Sequence, residues 1–388
     1  MDHKDVPICV DGRMLWRSGT GTTTYAHGLI AAAQAVERPF RLLTADHEAD
    51  SRFRKLLGAL KTEHRLRESK ADQEHGSQGQ LVGRDIFRRA HVHFTLRQRF
   101  LCLKPPLPFG IMHWTYPVPM RMEGWINIYT VHDLIPLAQP QLSPVSHRRH
   151  RAVMGELLRH ANRIVTVSET ARSEIVSLLQ VKEALVVNCE QAVLGSLDDA
   201  RSEPPMDLQA GGYFVFCGAV EPRKNLVRLI KAYAVSGVDR PLVIAGPDGW
   251  RADEINRLIA RTPNVIRSGY LKRGDLLTLV RHARGLLFPS LAEGFGLPVA
   301  EAMRLGTPVL TSSTGALAEV AGDAAILVDP LDINAIAEGV RVLAYDEGLV
   351  ADLASRGRLH AERFLLPRFA ARLAAVYDEA LAAYSEPR

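Results

Sequence analysis

Cysteine is scarce in this sequence, and what little there is has no pattern. The 388 residues hold four, Cys9, Cys102, Cys189 and Cys217. No two of them stand at the spacing of a metal-ligand pair or a redox motif, which removes zinc-ribbon and thioredoxin-like chemistry and fits a reducing cytoplasm. Long apolar runs are missing as well. Nowhere do about 18 apolar residues follow one another, so no spanning helix is expected. The charged start MDHKDVPICVDG leads into a strand and does not read as a signal peptide. No Asp-x-Asp pair stands at a strand end to hold a metal-bound nucleotide. A strong excess of one charge is also lacking: the net charge is +5, too little for a nucleic-acid binder without a recognition motif. Disorder is excluded by a hydrophobic content of 47% against 23% charged residues.

What remains is an ordinary globular chain, long enough for two domains, since single cores stop growing below about 300 residues. The positive charge sits in the first half: residues 1–200 hold 26 Lys and Arg against 21 Asp and Glu, and 12 of the 14 histidines. A basic surface there could meet an acidic or phosphate-rich partner, or could be plain solvated surface.

The stretch around which the chain is organised runs from Leu286 to Leu310, LLFPSLAEGFGLPVAEAMRLGTPVL. Leu286 to Phe288 suits a strand buried on both faces, Gly294 and Gly296 a turn that lets backbone approach a ligand, and Pro298 the first helical position. Gly306 ends that helix before a strand at Val309. The N–H groups of Phe295, Gly296 and Leu297 then point out of the turn with the positive end of the helix dipole, a fit for phosphate. Glu301 is expected in the first helical turn and Glu293 at the strand end, facing one cleft.

Other strand-turn-helix units flank this one. Pro7 to Val10 is a strand, Gly19 and Gly21 lie in the following turn, and Tyr25 to Val36 is a helix. Threonine at position 24, where a third glycine would stand, argues against NAD. His132 and Asp133 follow the strand Ile126 to Val131, at the strand end where open α/β sheets bind ligands. Ser168 reads as the N-cap of the helix after the strand Arg163 to Val167. Val187 to Gly212 breaks the pattern and reads as a linker. Tyr213 to Cys217 opens a second series, and GAVEPRKNL places Arg223 and Lys224 at a βα turn, where two cations can neutralise a diphosphate. Further strands are Leu242 to Ala245, Val265 to Leu271 and Ile326 to Val328, and two helices complete the chain. Between 84 and 104, arginines alternate with Phe87, Phe94 and Phe100, a mixture that suits either an anionic membrane surface or an acceptor loop followed by an ordinary surface helix.

Two glutamates eight apart around GFGLP, together with the HD pair and the RKN turn, resemble the signature of retaining GT-B glycosyltransferases of family four, most closely bacterial polysaccharide mannosyltransferases. The resemblance implies an α/β fold of two doubly wound Rossmann-like domains facing across a cleft. Residues 1–200 would bind the acceptor, residues 210–365 the nucleotide sugar, and a last helix in 366–388 would cross back to the first domain. It further implies that Glu293 contacts hydroxyls of the transferred sugar, that Glu301 holds the ribose, and that His132 touches the 6-hydroxyl region. Backbone near Tyr270 and Leu271 would hold the base, and the Gly19–Gly21 loop would lie against the donor phosphates. Lys224 and Arg223 would neutralise the leaving diphosphate without a metal or other cofactor, and that phosphate would itself deprotonate the acceptor. Ala219 stands where many relatives carry an arginine, so Arg223 is expected to substitute for it. The expected donor is GDP-mannose ahead of UDP-sugars, and the expected acceptor a lipid-linked saccharide at the inner membrane face. The rival readings are a UDP-sugar epimerase on the same fold and a catalytically silent sugar-nucleotide sensor.

Overall fold

The strand Ile8–Asp11 is buried along its whole length, and so are Phe214–Cys217, Leu242–Ala245, Gly285–Phe288 and Val309–Ser312. Strands without a wet face belong to parallel sheets covered by helices on both sides, and that is what the computed structural model contains. It describes residues 3–16, 21–36, 38–46, 62–69, 79–194, 203 and 206–385.

The first sheet runs, from edge to edge, Val186–Asn188, Arg163–Thr166, Ile126–Thr130, Ile111–Trp114, Ile8–Asp11, Phe40–Asp46, Gly79–Arg84 and Arg67–Ser69. Every pairing is parallel except the last. The second sheet runs Val265–Gly269, Leu242–Ala245, Phe214–Cys217, Gly285–Phe288, Val309–Ser312 and Ile326–Val328, all parallel. Glu63–Arg65, Leu101–Lys104 and Met120–Met122 form a small third sheet. In each large sheet the strand order reverses beside the central strand: between Ile8–Asp11 and Ile111–Trp114 in the first, and between Phe214–Cys217 and Gly285–Phe288 in the second. Such switch points leave a crevice at the carboxyl ends of the strands, where ligands of open α/β sheets sit.

Several elements differ from the sequence expectation, each for a physical reason. The first helix begins at Gly21, ahead of Tyr25, and runs to Ala35, so Thr22 to Thr24 belong to its first turn. Val187 and Asn188 pair with Val165 and Thr166 as the edge of the first sheet and are not linker. The chain passes to the second sheet between Asn188 and Phe214, and residues 195–202, 204 and 205 of that passage lie outside the described residues. Three helices follow the last strand where two were expected, Ile333–Tyr345, Glu347–Ala361 and Leu366–Ser385. Asp332 and Asp346 cap the first two by accepting from Ala335 N at 3.1 Å and Leu349 N at 2.9 Å, and the second cap separates them.

The stretch from 84 to 104 takes the helical of its two readings. It forms the helix Ile86–Arg97 and the strand Leu101–Lys104, and Phe87, Phe94, Phe100, Leu101 and Leu103 are all buried in the core of the first sheet. Aromatics so placed cannot enter a lipid headgroup layer; the interleaving of Arg and Phe is that of a helix with one face inward. Among the described residues no helix is long and apolar enough to cross a membrane.

The last helix leaves the second sheet and lies on the first. Phe369, Leu373, Val376 and Tyr377 are buried there, Asp378 accepts from Arg38 at 2.6 Å, and the Tyr377 hydroxyl meets Nδ1 of His113 at 2.8 Å. Its apolar stripe joins the helix Gly21–Ala35 and both sheets into one hydrophobic cluster.

Candidate functional site

Two loops leave the switch point of the second sheet. The first follows Cys217, makes a single 3₁₀ turn at Pro222–Lys224 and stops at Asn225, which adopts φ 60°. Asn225 donates its side-chain amide to the carbonyls of Pro289 at 2.9 Å and Pro330 at 2.6 Å, so this loop is tied to the second one. The second loop runs from Pro289 to Gly296. Lys224 Nζ meets Glu293 Oε1 at 2.6 Å, and Arg223 Nη1 meets Oε2 at 2.6 Å while also donating to the Ala292 carbonyl at 2.9 Å. Arg223 holds Glu221 as well, at 2.8 Å. One carboxylate thus bridges two cations, and the Lys224 ammonium lies 4.9 Å from the centre of the Phe288 ring.

Burial works against every charge here. It alone would push the Glu293 carboxyl up, yet Arg223 and Lys224 overcome it and bring the group down from 4.5 to about 2. Burial pulls Lys224 below its ordinary value, with Glu293 pulling it back. The depression of Glu293 is the direction that two cations at contact distance demand.

Gly296, with φ 105°, turns the chain into the helix Leu297–Leu305, and a Cβ there would lie 2.5 Å from Leu317. Pro298 stands in the first turn and Gly306 closes the far end at φ 78°. Among the described residues no backbone carbonyl accepts from Phe295, Gly296 or Leu297 N–H. The Phe295 side chain packs edge-on against Phe364 at 5.2 Å. Glu301 is the fifth helical residue and so falls just past the expected first turn, because the helix starts at Leu297, one residue before Pro298. It is buried and holds Arg273 Nη2 at 2.6 Å. Burial raises its pKa against the pull of Arg273. Arg273 also donates to the Leu194 carbonyl at 3.0 Å and so ties Glu301 to the crossover between halves. Its pairing with a residue 28 positions on left no mark in the sequence.

His132 comes from the first half. Its Nε2 lies 3.0 Å from the carbonyl of Thr115. A carbonyl only accepts, so Nε2 carries the hydrogen and Nδ1 keeps the lone pair. Burial lowers the pKa of His132, and the Tyr25 ring stands edge-on to it at 4.5 Å. Thr115 is held in turn by Asp11, a fully buried carboxylate that accepts from Thr115 N at 2.5 Å and Thr115 Oγ1 at 2.9 Å. Burial pushes Asp11 up to about 6. Sequence reading passed over Asp11; the available signal was an acid directly at the end of the first apolar strand.

The halves touch at this point. A Cβ on Gly294 would lie 2.4 Å from the His132 carbonyl oxygen, so only glycine allows that approach. Ser168 caps the helix Glu169–Leu179 by accepting from Ala171 N at 3.0 Å and donates to the Gly294 carbonyl at 2.7 Å. Glu319, from the second half, accepts from Glu169 N at 2.7 Å and Thr170 N at 2.9 Å at the same helix start. The structure therefore brings Glu293, Lys224 and Arg223 into contact and sets His132 beside Gly294. Gly21 opens the helix that carries Tyr25, while Gly19 lies outside the described residues. Tyr270, 52% exposed, and Leu271 follow the edge strand Val265–Gly269. Two cations and a helix start at one switch point can stabilise a departing anion.

Comparison with known proteins agrees with this geometry. Residues 209–360 match the family described as glycosyl transferases group 1. O-antigen chain mannosyltransferase B of Escherichia coli is 32% identical over 261 residues, covering 64% of this chain and 68% of that protein. The serotype-specific mannosyltransferase WbdA of Escherichia coli is 26% identical over 277 residues, 65% of this chain but only 33% of that protein. Among solved structures, sucrose-phosphate synthase from Thermosynechococcus elongatus superposes with a TM-score of 0.69 at 19% identity, over 97% of this chain and 100% of that one. The chain belongs to the group 1 glycosyltransferases and has their GT-B fold.

Proposed function

We propose that this glycosyltransferase moves mannose from GDP-mannose to a lipid-linked saccharide in the synthesis of a cell-surface polysaccharide, with retention of anomeric configuration and without a metal. The observation that carries the reading is the bridge from Glu293 to Lys224 and Arg223 at the switch point, next to His132. When the donor enters, its diphosphate takes over the two cations and frees the Glu293 carboxylate for the sugar hydroxyls. As the anomeric C–O bond breaks, charge on the departing diphosphate is met by Lys224, Arg223 and the start of the helix Leu297–Leu305, while Glu293 faces the cationic ring. The acceptor oxygen attacks from the face being vacated, and its proton passes to the leaving phosphate. Glu301 receives the ribose, and the backbone at Tyr270 and Leu271 the base. The mannosyltransferase names of the relatives support the choice of donor.

Any contact with an anionic membrane is made by exposed arginines such as Arg97, Arg148 and Arg151, because the neighbouring aromatics are buried; retention on anionic liposomes that is lost with salt is the expected behaviour. The activity is tested by incubating the protein with GDP-mannose and a panel of UDP-sugars, with and without a mannose-terminated acceptor and with and without a chelator. Release of GDP with an α-linked product, unaffected by chelation, is expected. Preference for a UDP-sugar would overturn the donor, and no release from any donor would favour a silent sensor.

A further inference from the structure

Away from Glu293, the first half brings two guanidinium groups together over one imidazole. Arg13 lies just past Asp11, in the turn Arg13–Trp16. It donates from Nη1 to His91 Nε2 at 2.5 Å and to the Tyr116 hydroxyl. Arg149, in the first turn of the helix His147–Leu158, brings Nη2 to 3.4 Å from Nδ1 of the same histidine and donates from Nη1 to Thr95 Oγ1 at 2.8 Å. A neutral imidazole has one acceptor nitrogen. If Nε2 accepts from Arg13, Nδ1 turns a hydrogen toward Arg149, and the second guanidinium is opposed rather than served. Both cations lie over aromatic faces, Arg13 over Tyr116 at 5.5 Å and Arg149 over Phe94 at 5.4 Å, which fixes their planes. None of these partners carries negative charge. Asp11, two residues before Arg13, is fully buried and bonded to Thr115, and it acts on Arg13 only through space; Glu156 on the Arg149 helix is taken by Arg99 and Arg159.

Two cations held together with no carboxylate bonded to either of them among the described residues are a cost unless an anion joins them. Their place is informative. Tyr116 follows Thr115, whose carbonyl holds His132, so the pair stands on the first-half wall of the crevice, opposite the donor loops. We infer that Arg13 and Arg149, bridged by His91, form an anion subsite for the acceptor, and that the acceptor presents a phosphate to it. This rests on the transferase reading above and adds the charge of the acceptor to it. The phosphate is either the one that joins the saccharide to its lipid or one carried on the sugar.

Calorimetry on the full chain saturated with GDP separates these cases, using methyl α-mannoside, mannose 6-phosphate and mannose joined through phosphate to a geranyl chain. At least one phosphate-bearing compound should bind about tenfold or more tighter than methyl mannoside. A gain for the geranyl compound alone assigns the lipid link, and a gain for mannose 6-phosphate assigns a sugar phosphate. Arg13→Gln and Arg149→Gln should each remove most of that preference with GDP affinity kept, and Arg149→Lys should retain part of it. Equal affinities for all three compounds would overturn the inference, as would variants that weaken methyl mannoside as much as the phosphates. Failure of transfer with the phosphate preference intact would instead count against the transferase reading alone.

Discussion

Replacing Glu293 by glutamine removes one charge and almost no volume, and its effects on binding and on turnover should run in opposite directions. In the free protein the carboxylate holds Lys224 and Arg223, each at 2.6 Å, and an incoming diphosphate has to take both from it. A charge-assisted hydrogen bond is worth about 1.5 to 3 kcal/mol, so a glutamine that competes less should let bare GDP bind about tenfold tighter. Turnover should fall by about a hundredfold or more, since the preorganised charge facing the sugar is gone. Stability supplies an independent check. A carboxyl brought from 4.5 down to about 2 favours the folded state by roughly 3 kcal/mol. That contribution is present above pH 4.5 and is lost as pH falls toward 2. The variant should therefore melt at lower temperature at neutral pH, regain much of the loss when GDP binds, and lack the acid-side decline attributable to this group. Calorimetric titration with GDP, nucleotide release and thermal melts from pH 7 down to the acid limit measure these quantities. Weaker GDP binding by Glu293→Gln, or turnover at the wild-type rate, would refute the exchange of partners on which the mechanism depends.

Other substitutions probe the rest of the crevice. Glu301→Gln should cut nucleotide affinity about tenfold with little change in melting temperature, because the amide oxygen can still accept from Arg273; an unchanged affinity by calorimetry would remove Glu301 from the ribose. Asp11, raised from 3.8 to about 6, favours folding fully below pH 3.8 and loses that contribution as pH climbs through 6, roughly 3 kcal/mol in all. Asp11→Asn should flatten this part of the stability curve in denaturant titrations and leave His132 seated, whereas Asp11→Ala should also lower turnover. Gly294→Ala puts a methyl group 2.4 Å from the His132 carbonyl and should prise the halves apart; turnover lower by about a hundredfold and a larger radius of gyration by X-ray scattering are expected, and normal values of both would mean the contact is dispensable.

The parts of this architecture that were readable in advance are those encoded locally. LLF, LVIA and FVFC announce strands buried on both faces, and a glycine pair followed by proline announces a strand-to-helix turn, because both patterns depend only on neighbours in the chain. The Ser168 cap was readable for the same reason. Pairings across long separations were not. Arg273 reaches Glu301, Asp11 reaches Thr115 over 104 positions, and nothing in either neighbourhood specifies the partner. The segment from 84 to 104 stayed open between two readings because alternation of arginine and phenylalanine is shared by a membrane-seeking face and by a helix packed on a sheet. Only burial distinguishes them, and burial is a property of the whole fold. The clustering of Glu293, Lys224 and Arg223 lies between these cases: each residue was marked by its place at a βα turn, while their mutual contact follows from the strand order of the sheet.

The return of the helix Leu366–Ser385 to the first sheet has a consequence for how this protein comes into being. Tyr25, Leu29 and His113 sit in the half made first, yet the residues that cover or bond them, Phe369, Leu373 and Tyr377, are among the last twenty-three of the chain. Domains usually fold as they emerge during synthesis, but here the first half must wait with a greasy seam open until residues 366–385 have emerged. A shortened product lacking residues 366–385 would carry that seam permanently and should be met by chaperones or proteases. The burial of the first half's core thus depends on a segment of the second half of the sequence.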